Sequence, residues 1–134
     1  MLKKNRKGFT LIEILIVVVI VAILAAISVP IYLDYVAGAR ASDAQSQIGA
    51  IYNAAKMYKQ DTEMWPADVQ ELEDRGYLTI DESVKLKWNF DITEEQLTAT
   101  STDEMAGGSG KEVRYDILQG KFFGYGLPND DGDN

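Results

Sequence analysis

Residues 14–33 contain no charged side chain, and 14–27 are unbroken Ile, Val, Leu and Ala. Twenty such residues rise about 30 Å as a helix, the thickness of a bilayer core. A helix apolar on every side needs cover all round, which a domain of this size does not supply. In lipid each backbone N–H and C=O must be satisfied inside the segment, so the run is expected to be helical although Ile and Val favour helices little in water. Four of the 13 basic residues (Lys3, Lys4, Arg6, Lys7) stand before the run and none follows closely. That asymmetry predicts a single pass, with the N-terminus cytoplasmic and the remainder exported. Tyr32 and Tyr35 then fall near the far interface.

Charge and composition remove several classes of function. Beyond position 7 the chain has 9 basic residues against 21 acidic ones, a surface that repels phosphate backbones, so no nucleic-acid partner is expected. There is no Cys and no His; zinc fingers, disulfide scaffolds, thiol nucleophiles and His-based proton transfer are excluded. No P-loop or Gly-x-Ser-x-Gly motif is present. The acidic pairs Glu73-Asp74, Glu94-Glu95 and Asp103-Glu104 lie in polar stretches and read as solvated faces, so the chain is not expected to be an enzyme.

Two readings of the N-terminus compete. One is a secretory signal peptide with a small-x-small site at Ala26-Ile27-Ser28, although Pro30 sits awkwardly just past that cut. The other starts from Glu13, a carboxylate at the mouth of the apolar run, costing about 2.5–3.5 kcal/mol if carried deep into the membrane; a disposable signal has no use for it. The string Lys7-Gly8-Phe9-Thr10-Leu11-Ile12-Glu13, followed by the apolar run and Pro30, resembles the N-terminus of type IV pilins and pseudopilins, the type IV filament superfamily. The resemblance implies a leader peptide, residues 1–8, cut after Gly8 by a prepilin peptidase, and N-methylation of the new N-terminus, Phe9. It implies assembly through Glu13, Phe9 and the neighbourhood of Pro30, where family members lose helicity around residues 22–31 on entering a filament.

After Pro30 a second pattern begins. Ala37, Ala41, Ala44, Ile48, Ile51, Ala55 and Tyr58 recur at spacings of four and three, one face of an amphipathic helix, with Arg40, Asp43, Gln47, Lys56 and Lys59 elsewhere. Joined through Pro30, residues 10–60 form one helix of about 75 Å, bent or loosened at the proline. Residues 9–33 are its membrane and assembly half, 34–60 its amphipathic half, and 61–134 a globular region. Pro66 ends a turn; a short helix is expected over 67–75 with Val69 and Leu72 on one side and Gly76 as its stop. Residues 84–92 alternate without error and read as a strand, followed by strands at 96–102, 112–118 and 121–125. Residues 105–110 form a flexible connection, and Gln119-Gly120 a turn. The fold class is therefore α+β: a long N-terminal helix whose amphipathic half lies on a small antiparallel sheet of three to four strands, pilin-like.

The tail Asn129-Asp130-Asp131-Gly132-Asp133-Asn134 clusters oxygen ligands around a glycine. Calcium is its candidate ion, through Asp130, Asp131 and Asp133, although the spacing is not that of an EF-hand and a frayed acidic tail explains it as well. The expected function is a structural subunit of a type IV pilus-like filament, made as an inner-membrane precursor and polymerised into a helical homo-oligomer. The partners the resemblance implies are the prepilin peptidase, an inner-membrane assembly platform and an assembly ATPase acting through it. The alternative within the family is the major pseudopilin of a type II secretion system, which fits less well because no Asp-Pro-Trp-Gly-type segment follows the short helix. Outside the family, a single-pass anchored periplasmic binding domain remains.

Overall fold

Burial along the long helix follows the small-residue stripe. The computed structural model describes residues 6–128, and in it helix α1 (Leu11–Thr62) carries Pro30 inside it and buries Ala41, Ala44, Ile48, Ile51, Ala54, Ala55 and Tyr58. Ala37 is half-buried, and Ala54, which the spacing did not select, is buried. The helix ends where Glu63 turns to a φ of 62°; its N–H still donates to the Lys59 carbonyl at 2.9 Å. Contacts divide the chain into two compact units, Met1–Asp34 and Tyr35–Asn134.

Within the second unit, α2 (Val69–Asp74) is shorter than expected because Asp68 caps it, its carboxylate accepting from the Glu71 N–H at 2.8 Å. Its far end is a Schellman motif. The Tyr77 N–H reaches the Leu72 carbonyl and the Gly76 N–H the Glu73 carbonyl, with Gly76 at a φ of 78°, a position that favours glycine.

The expected strand over 84–92 is corrected by the structure. Its first half belongs to a helical turn, α3 (Glu82–Lys87), and only β1 (Trp88–Ile92) is a strand. Alternation over four residues fits a helix as well as a strand, and here a local turn and one tertiary ion pair accompany the helical form. The Asp81 carbonyl accepts from both Val84 and Lys85, and the Lys85 ammonium sits 2.8 Å from Glu73 on α2, leaving Leu86 61% exposed. Strands β2 (Gln96–Ser101), β3 (Glu112–Asp116) and β4 (Lys121–Gly124) follow, each slightly shorter than read from the sequence.

The sheet is an antiparallel meander in the order β1-β2-β3-β4. Its register aligns Ile92, Leu97, Tyr115 and Phe122 in one row and Phe90, Ala99, Val113 and Gly124 in the next. These rows contribute to one core with the α1 stripe, Val69, Leu72 and Ile80. Ile48, Ile51, Leu72, Leu97 and Val113 are almost fully buried, each such side chain stabilising the fold by roughly 1.5–3 kcal/mol through the area it removes from water. The α+β arrangement agrees with the expectation.

The connection between β2 and β3 differs from the flexible loop expected. Met105 is 4% exposed, the buried Ser101 hydroxyl donates to the Gly108 carbonyl at 2.6 Å and accepts from the Lys111 N–H at 2.8 Å, and the Gly110 N–H donates to the Ser101 carbonyl. A buried hydroxyl with donor and acceptor both satisfied fixes the backbone around it.

Candidate assembly and processing site

The apolar stretch of α1 has no cover. Nineteen of the twenty-three large hydrophobic side chains exposed among the described residues fall between Phe9 and Tyr35, and every residue of α1 up to Tyr35 is exposed. An apolar surface that continuous needs lipid or other helices.

Just before it, residues 6–10 carry no regular secondary structure and are exposed. Gly8 lies outside the left-handed region, and a Cβ added to it would meet nothing within 4 Å. Among the described residues nothing crowds this position. Phe9 is 84% exposed.

Glu13 has a local task that the sequence reading overlooked. The Glu13 N–H donates to the Thr10 hydroxyl at 3.3 Å, and the Thr10 N–H donates to the Glu13 carboxylate at 3.4 Å. This is a capping box, satisfying two donors that the first turn of α1 would leave orphaned. The Thr-x-x-Glu spacing was the signal for it. A carboxylate in the first turn is also favoured by the helix dipole. Pro30 has no N–H to give the Ala26 carbonyl, yet α1 continues across it.

The shifted titratable groups lie elsewhere and fasten α2 and its flanks to α1 and α3. The Tyr58 hydroxyl donates to Glu71 at 2.6 Å, and the Ala67 N–H donates to the other oxygen of Glu71 at 3.0 Å. The bond from Tyr58, then the one from Ala67, then the nearby Arg75 hold the Glu71 carboxyl below the usual carboxylate range. The same bond, with burial, raises the Tyr58 phenol. Tyr77 is raised likewise by donating to Asp61 at 2.7 Å, and Lys85 by its bond to Glu73. Perturbed groups mark active sites in many proteins, but each of these is engaged as a staple between elements, Glu73 and Lys85 doing so at the edge of an open cavity of about 340 Å³.

An open cleft of about 670 Å³ lies among Tyr52, Lys56, Lys59, Met64, Trp65 and Ile117, with Lys56 placed over the Tyr52 ring. Of the acidic pairs, Glu94 and Glu95 are exposed in the β1–β2 turn, Asp103 and Glu104 in the β2–β3 connection, and Glu73 and Asp74 are engaged by Lys85 and Gln70. Among the described residues no group of three or more carboxylates could hold a metal ion. Asp130, Asp131 and Asp133 lie outside the described residues.

Residues 3–29 match the family model of the prokaryotic N-terminal methylation motif. The chain is 50% identical over 68 residues to the fimbrial protein EcpC of Eikenella corrodens, covering 51% of this chain and 44% of that protein. It is 44% identical over 63 residues to the type IV major pilin protein PilE of Neisseria gonorrhoeae (47% and 38%). To the type II secretion system core protein G of Pseudomonas aeruginosa it is 44% identical over 73 residues (54% and 51%). The matched stretch thus spans about half or less of each of these relatives.

Proposed function

We propose that this chain, a member of the type IV filament superfamily on its N-terminal methylation motif and its pilin and pseudopilin relatives, is a structural subunit of a type IV pilus-like filament. It is made as an inner-membrane precursor with its N-terminus in the cytoplasm, cut after Gly8 by a prepilin peptidase and N-methylated at Phe9. An inner-membrane platform and the ATPase acting on it then add it to a helical homopolymer. The observation that carries this reading is the wholly uncovered apolar stretch of α1 directly after the motif. In the bilayer, lipid covers that surface; in a filament, the same stretch from other copies replaces lipid, so one segment serves both states. Gly8 supports the reading too, since among the described residues neither its backbone conformation nor any neighbour calls for a glycine there.

Glu13 is read as the register device. Cleavage creates a positive amine on Phe9, and in a bundle of staggered helices the amine of one copy can meet the Glu13 of another, taking the carboxylate from its own capping box. Calcium at Asp130, Asp131 and Asp133 rests on sequence alone; it predicts a melting temperature that rises with free calcium and loses that response in Asp131→Ala with Asp133→Ala.

N-terminal sequencing of the mature protein tests the whole reading. A start at methylated Phe9 is expected; a start at Val29 would mean a secretory signal and end it. The type II secretion reading is favoured by the 73-residue match, which covers a larger share of both partners than the pilin matches above. Deleting the gene separates the two readings: a pilus subunit removes surface filaments, a pseudopilin stops release of exported proteins.

A further inference from the structure

Three backbone segments meet where α1 enters the Tyr35–Asn134 unit. β4 ends at Gly124, which has a φ of 103° and whose added Cβ would run into the Glu112 carbonyl oxygen. The Tyr125 N–H donates to that same carbonyl at 2.8 Å, tying the segment to β3. The Leu127 N–H then donates to the Gly124 carbonyl at 3.1 Å, closing a turn with Gly126 in its third position at a φ of 70°, as a type II turn requires. A Cβ on Gly126 would strike the Ala37 carbonyl and come within 2.9 Å of the Ala41 Cβ, and one on Gly38 would sit 3.6 Å from the Gly126 carbonyl. The strap, residues 124–127, therefore lies backbone against backbone on α1. Beside it, the Tyr125 hydroxyl and an Arg40 guanidinium nitrogen converge over Gly107, 2.8 and 3.0 Å from where its Cβ would be. The strap is thus joined to β3, to the β2–β3 connection and to the helix at once.

We propose that residues 124–127 are a latch that sets how far α1 can loosen. Helix interruption is easiest near Pro30, and every α1 residue up to Tyr35 is exposed. With the latch closed, the turn at 37–41 is held between strap and core, and loosening stops there. With it open, loosening runs on through residues 34–44 towards the turn at Ile48. The latch concerns the folded chain alone and stands independently of the filament reading.

Hydrogen exchange on the full-length protein in detergent micelles tests this. In the wild-type chain the strap amides of Tyr125 and Leu127 should open together with the helix amides of 38–44, at a lower protection than residues 48–58. Gly126→Ala should speed exchange over 34–44 by about tenfold or more while β2 and β3 keep their protection. Gly108→Ala is the control: Gly108 also has a positive φ, 94°, but open space around it, so it adds backbone strain without touching the helix and should leave 34–44 at the wild-type rate. If Gly126→Ala unfolds the sheet as well, the wild-type comparison decides. The proposal is overturned if the wild-type strap exchanges freely while 38–44 stays protected, or if a folded Gly126→Ala leaves 34–44 unchanged.

Discussion

Deleting the Tyr58 hydroxyl takes from Glu71 its shortest hydrogen bond, and the consequence has a sign at each end of the pH scale. Glu71 is held below the ordinary carboxylate value of 4.5, so its contribution to stability is complete above that pH and is lost as pH falls through the lowered folded value. Tyr58 is held above 10.0; its contribution is complete below that pH and is lost as pH rises through the raised folded value. Tyr58→Phe should therefore lower the melting temperature at neutral pH and flatten both limbs, and Glu71→Gln the acid limb, in melts from about pH 3 to pH 11. Glu13→Ala belongs with a different measurement. It is expected to insert and be cut normally, since Phe9 and Gly8 are untouched, yet to fail in filament assembly; wild-type filament yield by electron microscopy would remove the carboxylate's assembly role. The buried positions 41, 44, 48, 51, 55 and 58 were legible because helix period alone sets them. Gly107 and Gly126 were not, because what crowds them is brought near from distant parts of the chain: the Tyr125 and Arg40 side chains at Gly107 and the Ala37 backbone at Gly126.

Short helices depend on their ends, and α2 shows how much. Asp68→Ala removes the cap and should cost about 1 kcal/mol, whereas Leu72→Ala, emptying a position with no exposure, should cost roughly 2–5 kcal/mol. Denaturant unfolding of both variants gives that order, and the reverse order would mean that packing around Leu72 collapses to fill the gap. The stop at Gly76 was readable from sequence because glycine after a last turn has a backbone reason. The boundary between α3 and β1 was not readable, since Val84, Lys85, Leu86 and Lys87 alternate in a strand and fit a single helical turn equally well. The pairing of Lys85 with Glu73, and the Thr102 hydroxyl donating to the Leu86 carbonyl, select the helical form.

Removing residues 1–32 should leave a chain that stays in solution without detergent and keeps its sheet, because, among the described residues, the buried core cluster begins at Ala41. Circular dichroism and gel filtration check this; a truncated chain that aggregates or lacks strand signal would show that the apolar stretch contributes to the globular core. The division of labour between an uncovered segment and a packed one was visible in the hydropathy pattern, and the meander was visible as turn signals between short strands, but the closing contact was hidden. In that meander each strand pairs with the next one along the chain, so every hairpin can form as soon as its second strand is made. The contact between Gly126 and Ala37, by contrast, must wait for nearly the whole polypeptide. The strap is then a full stop: a chain interrupted just before it can still pair its strands and pack the α1 stripe on them, but it lacks the backbone contact at Ala37, so unfinished and finished chains differ where the helix enters the Tyr35–Asn134 unit.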